Sequence, residues 1–238
     1  MQPILVLWDV DYTLADTDGV GRHLYDVALR ELFGLEMPRL VRSMAGRTDT
    51  SIALEVLTAA GVTEPAREIA RFQDVLAAHS PELDGLVRQR GKALPGVPEV
   101  LSALAGPAYS GWVIQSLLTG NIPALARVKL GALGLVEHLD LSIGAYGDVS
   151  EIRGDLVPVA RQNAAARHGA DFAGHATVLV GDTPMDVEAA AVNGARSVGV
   201  ATGSFTTDQL AAAGADVVLA DLSDTTLAVS AILGRPAE

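Results

Sequence analysis

Two aspartates, Asp9 and Asp11, flank a single valine directly after the apolar run Ile4 to Trp8. Such a run buries its side chains, so like charges at its end need a purpose. A loop turning off a strand can aim both carboxylates at one reacting centre, one as nucleophile and the other as proton donor. A carboxylate attacking phosphorus gives an acyl phosphate, which water then hydrolyses. Further polar groups follow other apolar runs. Thr119, Gly120 and Asn121 come after Val113 to Leu118, and Gly181, Asp182 and Asp186 come after Thr177 to Val180. Ligands of open parallel sheets bind at the carboxyl ends of the strands, so these loops should converge with the one that runs from Asp9 to Thr13. Several carboxylates in one crevice repel each other unless a hard cation sits among them. Mg2+ suits such a place, taking one or two carboxylates plus water and substrate phosphate.

The elements that must position these groups read as α/β. Ile4 to Trp8, Val113 to Leu118, Thr177 to Val180, Ser197 to Val200 and Val217 to Leu219 are short apolar runs bounded by turn residues, as buried strands are. Leu139 to Ile143 is a weaker strand candidate. Helical patterns fall at Pro98 to Ala105, Ile122 to Leu133, Val157 to His168 and Thr183 to Asn193, and Thr206 with Gln209 forms a capping box for another. The alternation predicts a Rossmann-like parallel sheet with helices on both faces. Residues 20 to 88 differ, with helices expected over Leu24 to Leu32, Ser51 to Ala60 and Pro65 to Ala78. Thr63 is a candidate cap for the last of these, with Pro65 in its first turn. Gly19 and Gly21 mark the entry to this helical block, and Gly91 through Pro98 its exit.

Composition bounds the rest. The 238 residues suit one large domain or a domain with an insertion, and a chain of this size buries roughly 70–75% of its unfolded surface. Cysteine is absent, which excludes disulfides, a thiolate zinc site and a cysteine nucleophile. A net charge of −12 repels nucleic acid and anionic lipid, yet leaves room for a positive pocket and a small anionic substrate. The first apolar run stops too early for a secretory signal, and none reaches the roughly 18–20 residues of a membrane span. The expectation is a soluble cytoplasmic protein, monomeric or a small homo-oligomer, without nucleic-acid or membrane partners. Lysine occurs only at positions 92 and 129, so any catalytic lysine is one of these. The histidines are scattered without metal-ligand spacing.

Taken together, the motifs resemble those of the haloacid dehalogenase (HAD) superfamily, in the branch whose helical cap follows the first strand. Asp9-Val10-Asp11-Tyr12-Thr13 matches its D-x-D-x-T motif, Thr119 its lone Ser/Thr after the second core strand, and Gly181 to Asp186 its G-D-x-x-x-D motif. Leu94 to Leu104 resembles the segment where the chain re-enters the core, and Gly46 to Asp49 resembles a cap stretch of phosphatases in this branch. The resemblance implies a HAD-like core over residues 1–18 and 90–238 with a helical cap over 19–89. It implies Asp9 as nucleophile and Asp11 as general acid and base. It implies Mg2+ held by Asp9, the carbonyl of Asp11 and Asp182, with Asp186 in support. Thr119, Gly120 and Asn121 would bind phosphoryl oxygens, and Arg47, Asp49 and Tyr12 are candidates to face the substrate.

Two departures stand out. Position 12 is often glycine in the family and is tyrosine here. The third motif usually supplies a lysine, and the matching place holds Arg153, which keeps the charge with a different geometry. Lys129 is the rival cation, but two turns into a helix it should point less naturally at the strand ends. Asp186 reads equally as a charge in a first helical turn, and Asp49 as the cap of the Ser51 helix. The expected activity is a Mg2+-dependent phosphatase for a small phosphorylated metabolite, with phosphoglycolate as the single best guess. The alternatives are a phosphosugar mutase and a non-catalytic phosphometabolite-binding protein. A phosphonate hydrolase would need a cap lysine, and none lies between residues 16 and 91.

Overall fold

A computed structural model describes residues 2–39 and 42–235. In chain order the elements are β1 (Ile4–Trp8), β2 (Ala15–Asp16), α1 (His23–Phe33), α2 (Asp49–Ala59), α3 (Pro65–His79), α4 (Asp84–Arg90), β3 (Lys92–Ala93), α5 (Val97–Ala105), β4 (Val113–Leu117), α6 (Pro123–Ala132), α7 (Leu156–His168), β5 (Thr177–Gly181), α8 (Pro184–Val192), β6 (Arg196–Val200), α9 (Thr207–Ala212), β7 (Val217–Leu219) and α10 (Thr225–Leu233). Five strands form a sheet in the order β4-β1-β5-β6-β7, every neighbouring pair parallel. This is the Rossmann-like α/β sheet that the sequence predicts.

The apolar strands have a direct cause. Side chains alternate across a strand, so a strand covered on both faces is apolar on both, apart from polar groups that find a buried partner. Val6 and Trp8 of β1 enter one core with α5 and α10, while Leu5 and Leu7 enter the other with α7 and α8. Val178 and Val180 of β5 join the first and Leu179 the second. Trp8 is fully buried and its indole N–H donates to Gln115 Oε1 at 3.2 Å, while the Gln115 amide donates to the Leu101 carbonyl at 2.9 Å. The polar atoms inside this core are therefore paired, as burial requires.

A third apolar cluster holds the helical block together. Leu24, Tyr25, Ile52, Val56, Phe72, Leu76 and Val87 pack with Ile122 and Leu125 of α6, so the block rests on the helix that follows Thr119. The chain enters and leaves it through β2 and β3, paired antiparallel with Ala15 opposite Ala93 and Asp16 opposite Lys92. No helix of the described residues is long and apolar enough to cross a membrane.

Three local expectations need correction. Leu139 to Ile143 is not a strand. Asp140 turns the chain there, its carboxylate accepting from the Ser142 backbone N–H and hydroxyl, and only Ala145 bridges to Leu118 beside β4. Thr63 does not cap α3: the N-cap is Glu64, in the left-handed region at φ 53° and without a side-chain cap bond, and Pro65 opens the helix as expected. Asp49 does not cap α2: Thr48 does, its hydroxyl accepting from the Ser51 N–H, and Asp49 is the first helical residue.

Candidate active site

The carboxyl edge of the sheet gathers the predicted groups. The Asp9 N–H still donates to the Val180 carbonyl at 2.9 Å, so the first loop leaves β1 alongside β5. The loop then closes tightly, with the N–H groups of Leu14 and Ala15 both donating to the Val10 carbonyl at 3.0 Å. Tyr12 has φ 59°, the left-handed region that favours glycine. That conformation accounts for the usual glycine at this place, and the Thr202 hydroxyl binds the Tyr12 carbonyl. The Tyr12 side chain is 40% exposed and lies on the pocket wall.

Asp9, Asp182 and Asp186 are all buried, and one carboxylate oxygen from each lies within 4.8 Å of the others. Close approach of the last loop depends on Gly181: a Cβ there would lie 2.1 Å from Asp186 Cγ. Burial, with the neighbouring aspartates, pushes the Asp9 carboxyl up to about 6 and Asp182 up to about 8, while Arg153 opposes both shifts. Arg153 Nη2 lies 2.8 Å from Asp9 Oδ1 and 2.6 Å from Asp186 Oδ1. Its Nη1 donates to the Gly46 carbonyl at 3.0 Å, and its buried Nε–H has no hydrogen-bond partner among the described residues. Asp186 is the first-turn charge that one reading expects, and it also stands in the aspartate cluster. Oδ1 meets Arg153, while Oδ2 accepts from the Thr183 N–H and hydroxyl in a capping box for α8.

A second ionic group stands beside the first. Lys129 reaches the strand ends after all, its long stem carrying Nζ to 2.7 and 2.6 Å from the two oxygens of Asp11. The same Nζ donates to Asn121 Oδ1 at 2.7 Å, and the Asn121 amide donates to Asp11 Oδ2 at 2.8 Å and to Thr119 Oγ1 at 2.9 Å. Burial by itself would raise the Asp11 carboxyl, but Lys129, Asn121 and Thr17 outweigh it and hold it below its ordinary value. The side chain of Asn121 thus faces Asp11, Lys129 and Thr119.

The helical block closes over this edge. The Asp49 N–H donates to the Gly120 carbonyl at 2.7 Å, and the Thr50 N–H and hydroxyl donate to the Gly147 carbonyl at 2.9 and 2.7 Å. Asp49 Oδ2 accepts from the Ile122 N–H at 2.7 Å, and Oδ1 from the Tyr25 hydroxyl. Burial pushes the Asp49 carboxyl up to about 6 despite these donors. A Cβ on Gly120 would lie 1.9 Å from the Arg47 carbonyl oxygen, so only glycine admits the block this closely. Arg47 lines the pocket, but its guanidinium is taken by Glu55 at 2.8 Å and by the Ser51 hydroxyl and carbonyl. The pocket between block and sheet edge, of about 460 Å3, is lined by the aspartates, Arg153 and Lys129 on the sheet side and by Tyr25, Met44 and Ile52 on the helical side.

One participant escaped sequence reasoning, and the reach of another, Lys129, was misjudged. Tyr25 holds Asp49 from an apolar helix face, and nothing in its spacing marks it. Lys129 did leave a signal: it shares a helix face with Leu125, and a lysine on an apolar face needs a buried partner.

Fold and site together define an α/β protein with an aspartate-rich centre at the carboxyl edge of a parallel sheet. Residues 152–225 match the family described as "HAD-hyrolase-like". The chain is 32% identical over 240 residues to "Probable phosphatase IndB" of Dickeya dadantii (strain 3937), covering 98% of this chain and 96% of that protein. A hydrolase from Pseudomonas syringae shares the fold at TM-score 0.65 and 21% identity, over 96% of this chain and 98% of that one. A β-phosphoglucomutase from Clostridium difficile does so at TM-score 0.64 and 14% identity, over 94% and 92%. The chain belongs to the HAD-like hydrolases.

Proposed function

We propose that the protein is a Mg2+-dependent phosphatase that hydrolyses a small phosphorylated metabolite through an aspartyl phosphate on Asp9. The observation that carries this reading is the convergence of Asp9, Asp182 and Asp186 on one point, with Arg153 against Asp9 and Asp11 alongside. The donor set is all hard oxygen, and its self-repulsion in a buried place fits a divalent cation. Asp9, Asp182 and the carbonyl of Asp11 would hold Mg2+, with Asp186 in support, and the bound ion would offset charge between nucleophile and phosphoryl group.

Asp9 attacks phosphorus, and the bond from phosphorus to the leaving oxygen breaks as Asp11, having first taken up a proton from the substrate phosphate or from water, gives that oxygen a proton. In the second half Asp11 takes a proton from water, the water oxygen bonds to phosphorus, and the Asp9–phosphorus bond breaks. Arg153 orients Asp9 and sets a positive charge beside the phosphoryl group. The Thr119 hydroxyl and the backbone N–H groups of its loop receive the phosphoryl oxygens. Residues 19–89 act as a cap over a core of residues 1–18 and 90–238, and exclude water from the closed site.

The test is release of inorganic phosphate from a panel running from phosphoglycolate to hexose phosphates, with and without Mg2+. Metal-dependent release from one or a few compounds is expected. Interconversion of a phosphosugar without release would make the protein a mutase, and binding without turnover would make it a binding protein.

A further inference from the structure

The two buried cations of the site divide the two aspartates of the first loop between them. Arg153 meets Asp9 and does not touch Asp11; Lys129 meets Asp11 and does not touch Asp9. An ammonium group has three N–H donors. Those of Lys129 face three acceptors, the two oxygens of Asp11 and Oδ1 of Asn121, at 2.6 to 2.7 Å. No donor remains for a phosphoryl oxygen unless one of these bonds breaks. The amide of Asn121 closes the circuit, donating to Asp11 and to Thr119. The circuit fixes Asp11 through both oxygens and ties it to the hydroxyl assigned to the phosphate.

We infer that Lys129 is a positioning residue for Asp11, and that the cation serving the phosphoryl group is Arg153 alone. Lys129 stands at the seventh position of α6, whose early turns pack under the helical block through Ile122 and Leu125. The proton-transfer carboxylate is therefore aimed by the helix on which the cap rests. The inference depends on the proposed role of Asp11 in proton transfer, and the experiment keeps the two apart.

Steady-state kinetics with the best substrate of the panel, in saturating Mg2+, would compare Asp11→Asn, Lys129→Met and the double variant. Asp11→Asn should lose most of the turnover; if it does not, the role of Asp11 is wrong and the inference goes with it. Given that loss, Lys129→Met should lower kcat by about 10- to 100-fold, part of what a proton-transfer group supplies. KM and the inhibition constant of inorganic phosphate should stay within about threefold, because ground-state phosphate binding is left alone. In the Asp11→Asn background, Lys129→Met should remove nothing further, and ethylammonium should restore part of kcat to Lys129→Ala. Lys129→Gln carries the same comparison if the methionine variant fails to fold. A tenfold or larger rise in KM and in the phosphate constant at unchanged kcat, on the order of a lost charged contact, would make Lys129 a phosphate ligand and overturn the inference. Unchanged kinetics, or a further loss in the double variant, would overturn it equally.

Discussion

Arg153 is a single guanidinium facing two buried carboxylates, and its removal should be felt twice. Arg153→Ala leaves Asp9 and Asp186 without their counter-charge, which should destabilise the metal-free protein by about 3–5 kcal/mol, the usual scale for a broken buried pair. It should also raise the inhibition constant of inorganic phosphate far more than Lys129→Ala does; the reverse order would assign the phosphate to Lys129. Asp9→Asn should leave the fold intact and lower turnover on the order of a thousandfold or more, as loss of a covalent nucleophile does. Substantial residual activity would move the nucleophile elsewhere. Tyr12→Gly should relieve the left-handed backbone and raise stability by up to about 1 kcal/mol, read as a higher midpoint in urea. At this scale the sequence was informative where residue type and strand position together leave little choice, as for Asp9 and Asp182, whereas Arg153 came from resemblance to a family motif. It could not give the partner of Lys129, because reach along a helix depends on a side-chain path and not on spacing.

Among the elements, α2 bears most directly on the site. Asp49 carries one carboxylate from that helix into the backbone of the Thr119 loop, with its partner N–H 73 residues further along the chain. Thr48 and Asp49 are both good cap residues one position apart, so type and spacing alone cannot say which caps and which reaches across. The Asp49 carboxyl rises from 3.8 to about 6 on burial. The folded protein holds that proton at pH values where the unfolded chain has lost it, so stability falls as pH rises through this window. The shift corresponds to about 3 kcal/mol. Asp9 rises to about 6 and Asp182 to about 8 as well, so three groups share the slope and Asp49→Asn should remove about a third of it between pH 4 and 6 in denaturation measurements. An unchanged slope would mean that Asp49 is not held away from water. The strands and most helices of this scale follow from apolar period alone. Leu139 to Ile143 misleads because its apolar residues are buried by a turn beside β4, and burial is all that a short apolar run reports.

For the whole molecule, the carboxylates at the sheet edge couple stability to metal. With Asp9 raised to about 6 and Asp182 to about 8, the metal-free protein should become less stable as pH rises from about 4 to 8. A bound cation needs those groups deprotonated and binds only the folded form. Added Mg2+ should therefore raise the melting temperature more at pH 8 than at pH 5. An equal rise at both values would place the ion away from these aspartates. The layered α/β plan was legible because both faces of the sheet are covered, which makes the strands mostly apolar on both sides. The closeness of the helical layer to the Thr119 loop was not, since it rests on backbone contacts across Gly120 and Gly147. One further consequence lies in the short ladder by which that layer is attached. Ala15 and Ala93 face each other across strands of two residues each, so the places where the chain leaves and rejoins the sheet are neighbours. Everything between them is, topologically, one long loop. A segment of another length or shape could be spliced in there without shifting β1, β4 or the aspartates at the sheet edge. Descendants of such a chain can exchange what they recognise while inheriting unchanged what they do to it.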